Sequence, residues 1–146
     1  MSSVSSSSSV SSFIPVPHDG VVLGIGCDII EVARIRGVCE RQGERFLARV
    51  FTDEERTYCF GMTHPHKHLA ARFAAKEAVS KCFTTGIGAE LSWKSISIYH
   101  GERRQPLVRL DEKGAALLRH LGATQVLVSL SHTETLAMAV AALVRT

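Results

Sequence analysis

The segment from His66 to Phe83 most constrains what this chain can fold into, because it predicts one long helix with two chemically different sides. At about 100° per residue, one broad sector collects mainly polar side chains, and the opposite sector collects small or apolar ones that permit close packing. The first sector holds Phe73, Lys76, Glu77, Ser80 and Lys81, and the second holds Ala74, Ala75, Ala78, Val79, Cys82 and Phe83. Taken alone, the polar sector is typical of a solvated helix face with a Glu77–Lys81 pair.

A distant segment, Val21 to Asp28, supplies a second carboxylate. It predicts a short strand in which Gly24 and Gly26 let another backbone or a ligand come close. Asp28 is expected to end this strand and to cap the helix that follows. Two carboxylates such as Asp28 and Glu77, if brought together, can hold Mg²⁺, and nearby basic residues can take the phosphates that this ion bridges. The two segments together therefore predict a site for chemistry on a phosphate ester or anhydride.

The remaining pattern predicts an α+β fold with an antiparallel sheet around the one long helix. Other helices are expected over Ile29 to Val50 with a break or kink at Gly37 or Gly43, from Thr52 or Asp53 to Phe60, and from a cap at Asp111 to His120. Further strands are expected over Lys94 to His100, Leu107 to Leu110, Val126 to Ser131 and Ala137 to Val144. Because no third glycine and no βαβ repeat follow Gly24-Ile25-Gly26, a dinucleotide-binding fold is disfavoured.

The length of 146 residues and a hydrophobic share of 45% suit one globular domain, predicted over 18–146. Residues 1–17 are rich in serine and are predicted to form a disordered tail, with an organelle transit peptide as the alternative. The formal charge of +3 is too small to indicate a nucleic-acid partner. Four cysteines without zinc spacing predict buried free thiols in a reducing compartment, and we expect a cytoplasmic location: Cys27, Cys39, Cys59 and Cys82.

Four motifs in order carry a resemblance to a known family. The run from Arg72 to Lys81 reads Arg-Phe-Ala-Ala-Lys-Glu-Ala-Val-Ser-Lys, and the segment from Gly24 to Ile35 begins Gly-Ile-Gly-Cys-Asp-Ile. These resemble the two hallmarks of the holo-[acyl-carrier-protein] synthases, the short type of 4′-phosphopantetheinyl transferase. Phe51-Thr52 with an acid at Glu54 or Glu55 matches the segment between them, and Ser129 to Thr133 matches the C-terminal motif. The resemblance covers residues 20 to 146.

The resemblance implies a Mg²⁺-dependent transfer of 4′-phosphopantetheine from coenzyme A to a serine of apo acyl carrier protein, in support of fatty acid biosynthesis. Adenosine 3′,5′-bisphosphate is the other product. It also implies a homotrimer in which each active site lies between two subunits. The site residues that it implies are Asp28 and Glu77 as Mg²⁺ ligands, Lys81 as the support for the phosphates or the proton transfer, and Arg72, Lys76, Ser80, Lys81 and His132 as coenzyme A contacts. The general base is left open between a metal-bound water, Glu77 and Lys81.

A run of arginines predicts the surface that binds the carrier protein. Arg41, Arg45 and Arg49 recur every four residues after Arg34, beside Phe46. Such charge runs are usually solvated helix faces. The resemblance implies that these five residues dock an acidic carrier protein, and opposite charge would then raise the association rate and set orientation.

Three places depart from the family pattern. Thr84 and Arg104 stand where the family usually has glycine, which leaves the shape of the turn at Thr84 open. The loop before the long helix usually offers lysine or arginine to a phosphate of coenzyme A, but here it offers His64, His66, Lys67 and His68. We therefore expect weaker or more pH-dependent coenzyme A binding, since histidine titrates near neutrality. A metal site in this loop is disfavoured, because Pro65 spoils the geometry.

Two other functions remain open at the level of sequence. One is a non-catalytic module with the same fold that binds carrier protein or coenzyme A, against which the intact Asp28, Glu77 and Lys81 argue. The other is a different Mg²⁺-dependent phosphoesterase. Incubation with coenzyme A, Mg²⁺ and apo carrier protein distinguishes the three functions by the mass of the carrier protein.

Overall fold

A computed structural model describes residues 19–146, and the tail predicted at 1–17 lies outside the described residues. The fold is α+β, as predicted. The helices are α1 (Val32–Gln42), α2 (Glu44–Val50), α3 (Asp53–Phe60), α4 (Pro65–Cys82) and α5 (Glu112–His120). The strands are β1 (Val21–Glu31), β2 (Ile96–His100), β3 (Pro106–Leu110), β4 (Gln125–His132) and β5 (Leu136–Arg145). Among these described helices, none is long and apolar enough to span a membrane.

The long helix α4 packs across a three-stranded antiparallel sheet of order β1-β5-β4. Alternate residues of the middle strand β5 are buried on the face that meets the helix: Ala137, Ala139, Ala141 and Leu143. The helix contributes buried alanines of its own, Ala70, Ala71, Ala74, Ala75 and Ala78. Small side chains on both surfaces bring the helix close to the sheet, as its sequence predicted, and their burial supplies much of the core.

The opposite face of this sheet is apolar and exposed. Strand β1 presents Leu23, Ile25 and Ile29 there, and β5 presents Leu136, Met138 and Val140, with exposed fractions between 36% and 71%. The register aligns these residues across the two strands, since Ile29 pairs with Met138 and Cys27 pairs with Val140. Cys27 is exposed, so the prediction of a buried thiol is wrong for this residue. A contiguous apolar surface of this kind is typical of an interface between proteins.

The second sheet pairs β2 with β3, and α3 is attached to it through its capping residue. Thr52 accepts a hydrogen bond from the Glu55 backbone, and the Glu55 side chain accepts one from the Thr52 backbone. This reciprocal capping box confirms the predicted helix start at Thr52.

Two predicted boundaries need correction at the start of the chain. Strand β1 continues to Glu31, so Asp28 neither ends the strand nor caps α1, because an unbroken run of pairings with β5 from Gly24 to Glu31 extends the strand through it. The predicted helix from Ile29 to Val50 is divided into α1 and α2 at Gly43, whose φ of 55° favours glycine. The break was expected at Gly37 or Gly43, and it falls at Gly43.

Candidate functional site

Close contact between β1 and α4 places the predicted carboxylates on neighbouring elements. A Cβ added to Gly26 would lie 2.0 Å from the Ala78 carbonyl oxygen, and one added to Gly24 would lie 2.4 Å from the Cys82 carbonyl oxygen. Only glycine therefore permits this approach of strand to helix. The sequence left open whether these glycines admit another backbone or a ligand. In the structure they admit the backbone of α4.

The approach brings Asp28 of β1 together with Glu77 and Lys81 of α4. Lys81 Nζ donates hydrogen bonds to the Cys27 carbonyl oxygen at 2.9 Å and to Asp28 Oδ1 at 3.3 Å. Partial burial raises the pKa of the Glu77 carboxyl, and the negative charge of Asp28 raises it further, while Lys81 and Arg34 oppose the rise. Two partly buried carboxylates that repel one another, flanked by two cations, form an electrostatic arrangement that a divalent ion would stabilise.

The donor set fits Mg²⁺, which takes one or two protein carboxylates and fills its remaining positions with water and phosphate oxygens. No cluster of three or more His, Cys, Asp or Glu side chains with metal-site geometry occurs within residues 19–146. A protein-only cage for zinc is therefore absent from this part of the chain, and the run from His64 to His68 does not form one. An ion held by the Asp28–Glu77 pair would take its remaining ligands from water and from the phosphate oxygens of a substrate.

Lys76 does not lie where the resemblance placed it. Its side chain is 0% exposed and pairs with the equally buried Glu55 carboxylate at 2.7 Å. Its Nζ also donates to the carbonyl oxygens of Trp93 at 3.0 Å and Ile96 at 2.7 Å, so all three ammonium protons have acceptors. The ion pair with Glu55 draws the Lys76 side chain into the core, and its contact with coenzyme A stays a prediction that this arrangement does not support.

Ser80 is also buried, and its hydroxyl donates to the Glu77 carbonyl oxygen at 2.7 Å. Its predicted contact with coenzyme A is not available in this arrangement. The predicted polar sector of α4 is thus divided, with Lys76 and Ser80 inside the protein and Glu77 and Lys81 beside β1. Helix periodicity indicated which residues share a side, but it did not indicate which neighbours cover that side.

Arg72 and His132 meet in a second place, a cavity of about 190 Å³. The structure adds residues that the motif comparison did not include: Tyr58, His68, His100 and Arg104 also line it. The Arg72 guanidinium lies 4.1 Å from the centre of the Tyr58 ring, and its Nη2 lies 3.1 Å from His100 Nδ1. The sequence pointed to His68 through the composition of its loop, and to Arg104 because this residue replaces the usual glycine. No sequence signal indicated Tyr58 or His100.

Each of the four arginines predicted to bind a partner is exposed on α1 or α2: Arg34, Arg41, Arg45 and Arg49. Phe46 is different, because it is only 8% exposed and its ring packs against Phe51 and Phe73. This residue anchors α2 to the core, and its contact with the partner stays a prediction that its burial does not support. The arginines form a charged surface without an aromatic centre.

The fold agrees with what comparison with known proteins shows. The model of the 4′-phosphopantetheinyl transferase superfamily matches residues 24–141. The chain belongs to this superfamily.

Within it, the chain is 50% identical over 120 residues to the holo-[acyl-carrier-protein] synthase of Chlamydia trachomatis serovar L2, covering 82% of this chain and 98% of that relative. Among solved structures, the holo-[acyl-carrier-protein] synthase of Neisseria meningitidis aligns with a TM-score of 0.80 at 32% identity, over 84% of this chain and 98% of that one. The Helicobacter pylori enzyme in complex with coenzyme A aligns with a TM-score of 0.73 at 32% identity, over 82% of this chain and 98% of that one.

Proposed function

We propose that this protein is a holo-[acyl-carrier-protein] synthase that transfers 4′-phosphopantetheine from coenzyme A to a serine of apo acyl carrier protein. The observation that carries the proposal is the convergence of Asp28, Glu77 and Lys81 from segments about fifty residues apart. The names of the relatives, which include an enzyme in complex with coenzyme A, support the same reaction. We place the reaction in fatty acid biosynthesis in the cytoplasm, with an organelle as the alternative location.

Asp28 and Glu77 would hold Mg²⁺, which supplies charge neutralisation on the phosphates and alignment of the attacking and leaving oxygens. Lys81 is held beside Asp28 by its two hydrogen bonds while half of its side chain stays exposed. An ammonium in that position suits stabilisation of negative charge on a phosphate better than it suits removal of a proton from serine. Arg34 adds a second cation on the same side of the acidic pair.

The carrier protein would dock on the exposed arginines of α1 and α2, at Arg34, Arg41, Arg45 and Arg49. Arg34 belongs both to this surface and to the surroundings of Glu77, so the surface continues to the acidic pair. Complementary charge would orient an acidic partner with its serine toward the phosphates. Coenzyme A phosphates would contact Arg72, His132 and Lys81.

We propose a homotrimer on two grounds. The first is the exposed apolar face of β1 and β5. The second is that Asp28 lies on β1 and His132 lies on β4, which are opposite edges of the described sheet, with α4 packed across it. A cyclic assembly joins unlike surfaces of successive copies, so it would bring the acidic pair of one copy toward the basic cavity of the next. Sedimentation equilibrium tests this, and a monomer at working concentrations would contradict it.

The activity test incubates the protein with coenzyme A, Mg²⁺ and apo carrier protein and measures the mass of the carrier. We expect the mass to increase by one phosphopantetheine, and the increase to disappear with Asp28→Asn or Glu77→Gln. Glu90→Gln, an exposed carboxylate in the loop after α4, is the matched control and should keep the activity. An unchanged carrier with hydrolysed coenzyme A would indicate a phosphoesterase instead, and binding without any chemistry would indicate a non-catalytic module.

A further inference from the structure

The cavity that contains Arg72 is lined by cationic and titratable groups from five parts of the fold. Tyr58 comes from α3, His68 and Arg72 from α4, His100 from β2, Arg104 from the β2–β3 turn and His132 from β4. No carboxylate lines it among the residues that the structure describes. Three imidazoles and two guanidinium groups around one small space predict affinity for an anion.

Arg72 shows that the cavity is incomplete as it stands. The residue is 2% exposed, and its Nε has no hydrogen-bond partner. Within residues 19–146 it forms no ion pair, and its other interactions are with neutral groups: His100 Nδ1, the His68 carbonyl oxygen at 3.5 Å and the Cys59 thiol. A buried guanidinium without an anionic partner is costly, so its geometry points to a negatively charged ligand.

The bond between Arg72 and His100 defines the protonation state of the empty cavity. Arginine can only donate, so His100 Nδ1 accepts and carries no proton. Burial lowers the pKa of His100, and the charge of Arg72 lowers it further. Burial also lowers the pKa of His68, followed by the nearby charges of His132, Arg72, Lys67 and His100. Both imidazoles are therefore neutral near pH 7.5 when no anion is present.

The other titratable groups around the cavity do not supply an opposing charge inside it. Burial of the Cys59 thiol, the neighbour of Tyr58 on α3, raises its pKa to about 12, so it stays protonated. Lys67 lies beside His68 and pairs with the exposed Glu134 at 3.4 Å. Glu102 and Arg103 belong to the same turn as Arg104 but are not among the lining residues.

We infer that this cavity binds a phosphate group of coenzyme A together with protons, with His68 and His100 as the residues that take them up. The inference rests on the proposed function, because coenzyme A is the source of the phosphate. When the phosphate enters, His100 gains a proton from solvent at Nδ1 and its bond to Arg72 breaks. Both groups then donate to phosphate oxygens, and Arg72 Nε gains an acceptor. No covalent bond is made or broken.

The charges determine the direction in which phosphate binding changes the protonation of the two histidines. A phosphate dianion stabilises imidazolium, so the ligand raises the pKa of both histidines toward or above neutrality, and binding at pH 7.5 consumes protons. Affinity should increase as the pH falls from 8 toward 6, by about tenfold per pH unit for each proton taken up. Below about pH 6 the phosphate itself gains a proton, and the increase should stop.

Isothermal titration of the full chain with coenzyme A and Mg²⁺ at pH 7.5, repeated in two buffers of different ionisation enthalpy, measures proton uptake directly. We expect net uptake for the unchanged protein and a reduced uptake for His68→Gln and His100→Gln. His120→Gln, in the last turn of α5 and outside the cavity, is the matched control and should behave like the unchanged protein. His68 is only partly buried, so its variant tests the inference even if His100→Gln folds poorly.

Dephospho-coenzyme A, which keeps the pyrophosphate but lacks the 3′-phosphate, distinguishes which phosphate enters. Proton uptake that is lost with this ligand supports the 3′-phosphate as occupant, and uptake that persists supports the pyrophosphate. Binding without proton uptake, in a protein that still modifies its carrier, would overturn the inference and leave the proposed function intact. Uptake that is unchanged in both histidine variants would also overturn it. Failure to modify the carrier at any pH would instead contradict the proposed function.

Discussion

Substitution of Gly26 by alanine tests whether the approach of β1 to α4 creates the site. The added Cβ would lie 2.0 Å from the Ala78 carbonyl oxygen and 3.0 Å from the Lys81 Cβ. Ordinary contact begins at about 3.4 Å, so strand and helix must separate by more than about 1 Å. Overpacking of this kind costs about 1–3 kcal/mol of stability. The same movement separates Asp28 from Glu77, and a displacement of about 1 Å can reduce turnover on the order of 10²-fold.

The assay combines thermal unfolding with the rate at which the carrier protein gains mass, measured over a range of Mg²⁺ concentrations. We expect Gly26→Ala to remain folded with a lower melting temperature, to turn over more slowly and to require more Mg²⁺. Gly88→Ala is the matched control, because an added Cβ there meets no atom within 4 Å and its φ is not in the left-handed region. It should change neither the rate nor the Mg²⁺ requirement.

A folded Gly26→Ala protein with an unchanged rate and an unchanged Mg²⁺ requirement would refute the reasoning. It would mean that the two carboxylates tolerate separation, or that they do not act around one ion. A protein that loses stability but keeps the Mg²⁺ requirement would show that the glycine serves packing alone.

Three further predictions concern the rest of the fold. Thr84→Gly should stabilise the protein by about 1 kcal/mol in thermal unfolding, because Thr84 has φ 62°, whereas Glu90→Gly should give no gain. Lys76→Met should cost about 3–5 kcal/mol in denaturant unfolding by leaving the Glu55 charge buried without its cation, and adding Glu55→Gln, which removes the charge but keeps an acceptor oxygen for the α3 cap, should recover part of the loss. If the double variant is as unstable as the single one, the ion pair is not the cause. Arg45→Glu should raise KM for the carrier protein at low salt with KM for coenzyme A unchanged, and equal changes in both would argue against docking on this surface.

Most of the fold could be predicted because short-range patterns specify its elements. The alternation of β5, the alanines of α4 and the Thr52–Glu55 capping box each act within a few residues. The two positions where this chain replaces the usual glycine also indicated unusual backbone conformations. Thr84 and Arg104 are the described non-glycine residues with positive φ. The backbone shape that glycine usually provides is therefore kept, at the cost of local strain.

The side chains that the sequence did not place correctly are those whose position depends on a distant partner. Lys76 is drawn inward by Glu55, and Phe46 by Phe51 and Phe73. Asp28 stays within β1 because β5 pairs alongside it. None of these partners is visible in the helical or strand period of the residue concerned, since a period specifies which residues share a face and not what covers that face.

The sequence by itself determined the class of fold, the superfamily, and the two carboxylates and one lysine of the acidic site, because local motifs carry that information. Only the tertiary structure decided that Lys76 and Ser80 are internal and that His68, His100 and His132 share one cavity with Arg72. Burial and proximity come from contacts between segments far apart in the chain. Those contacts also change the charge state of each group, so the chemistry of a residue follows from its neighbours in space.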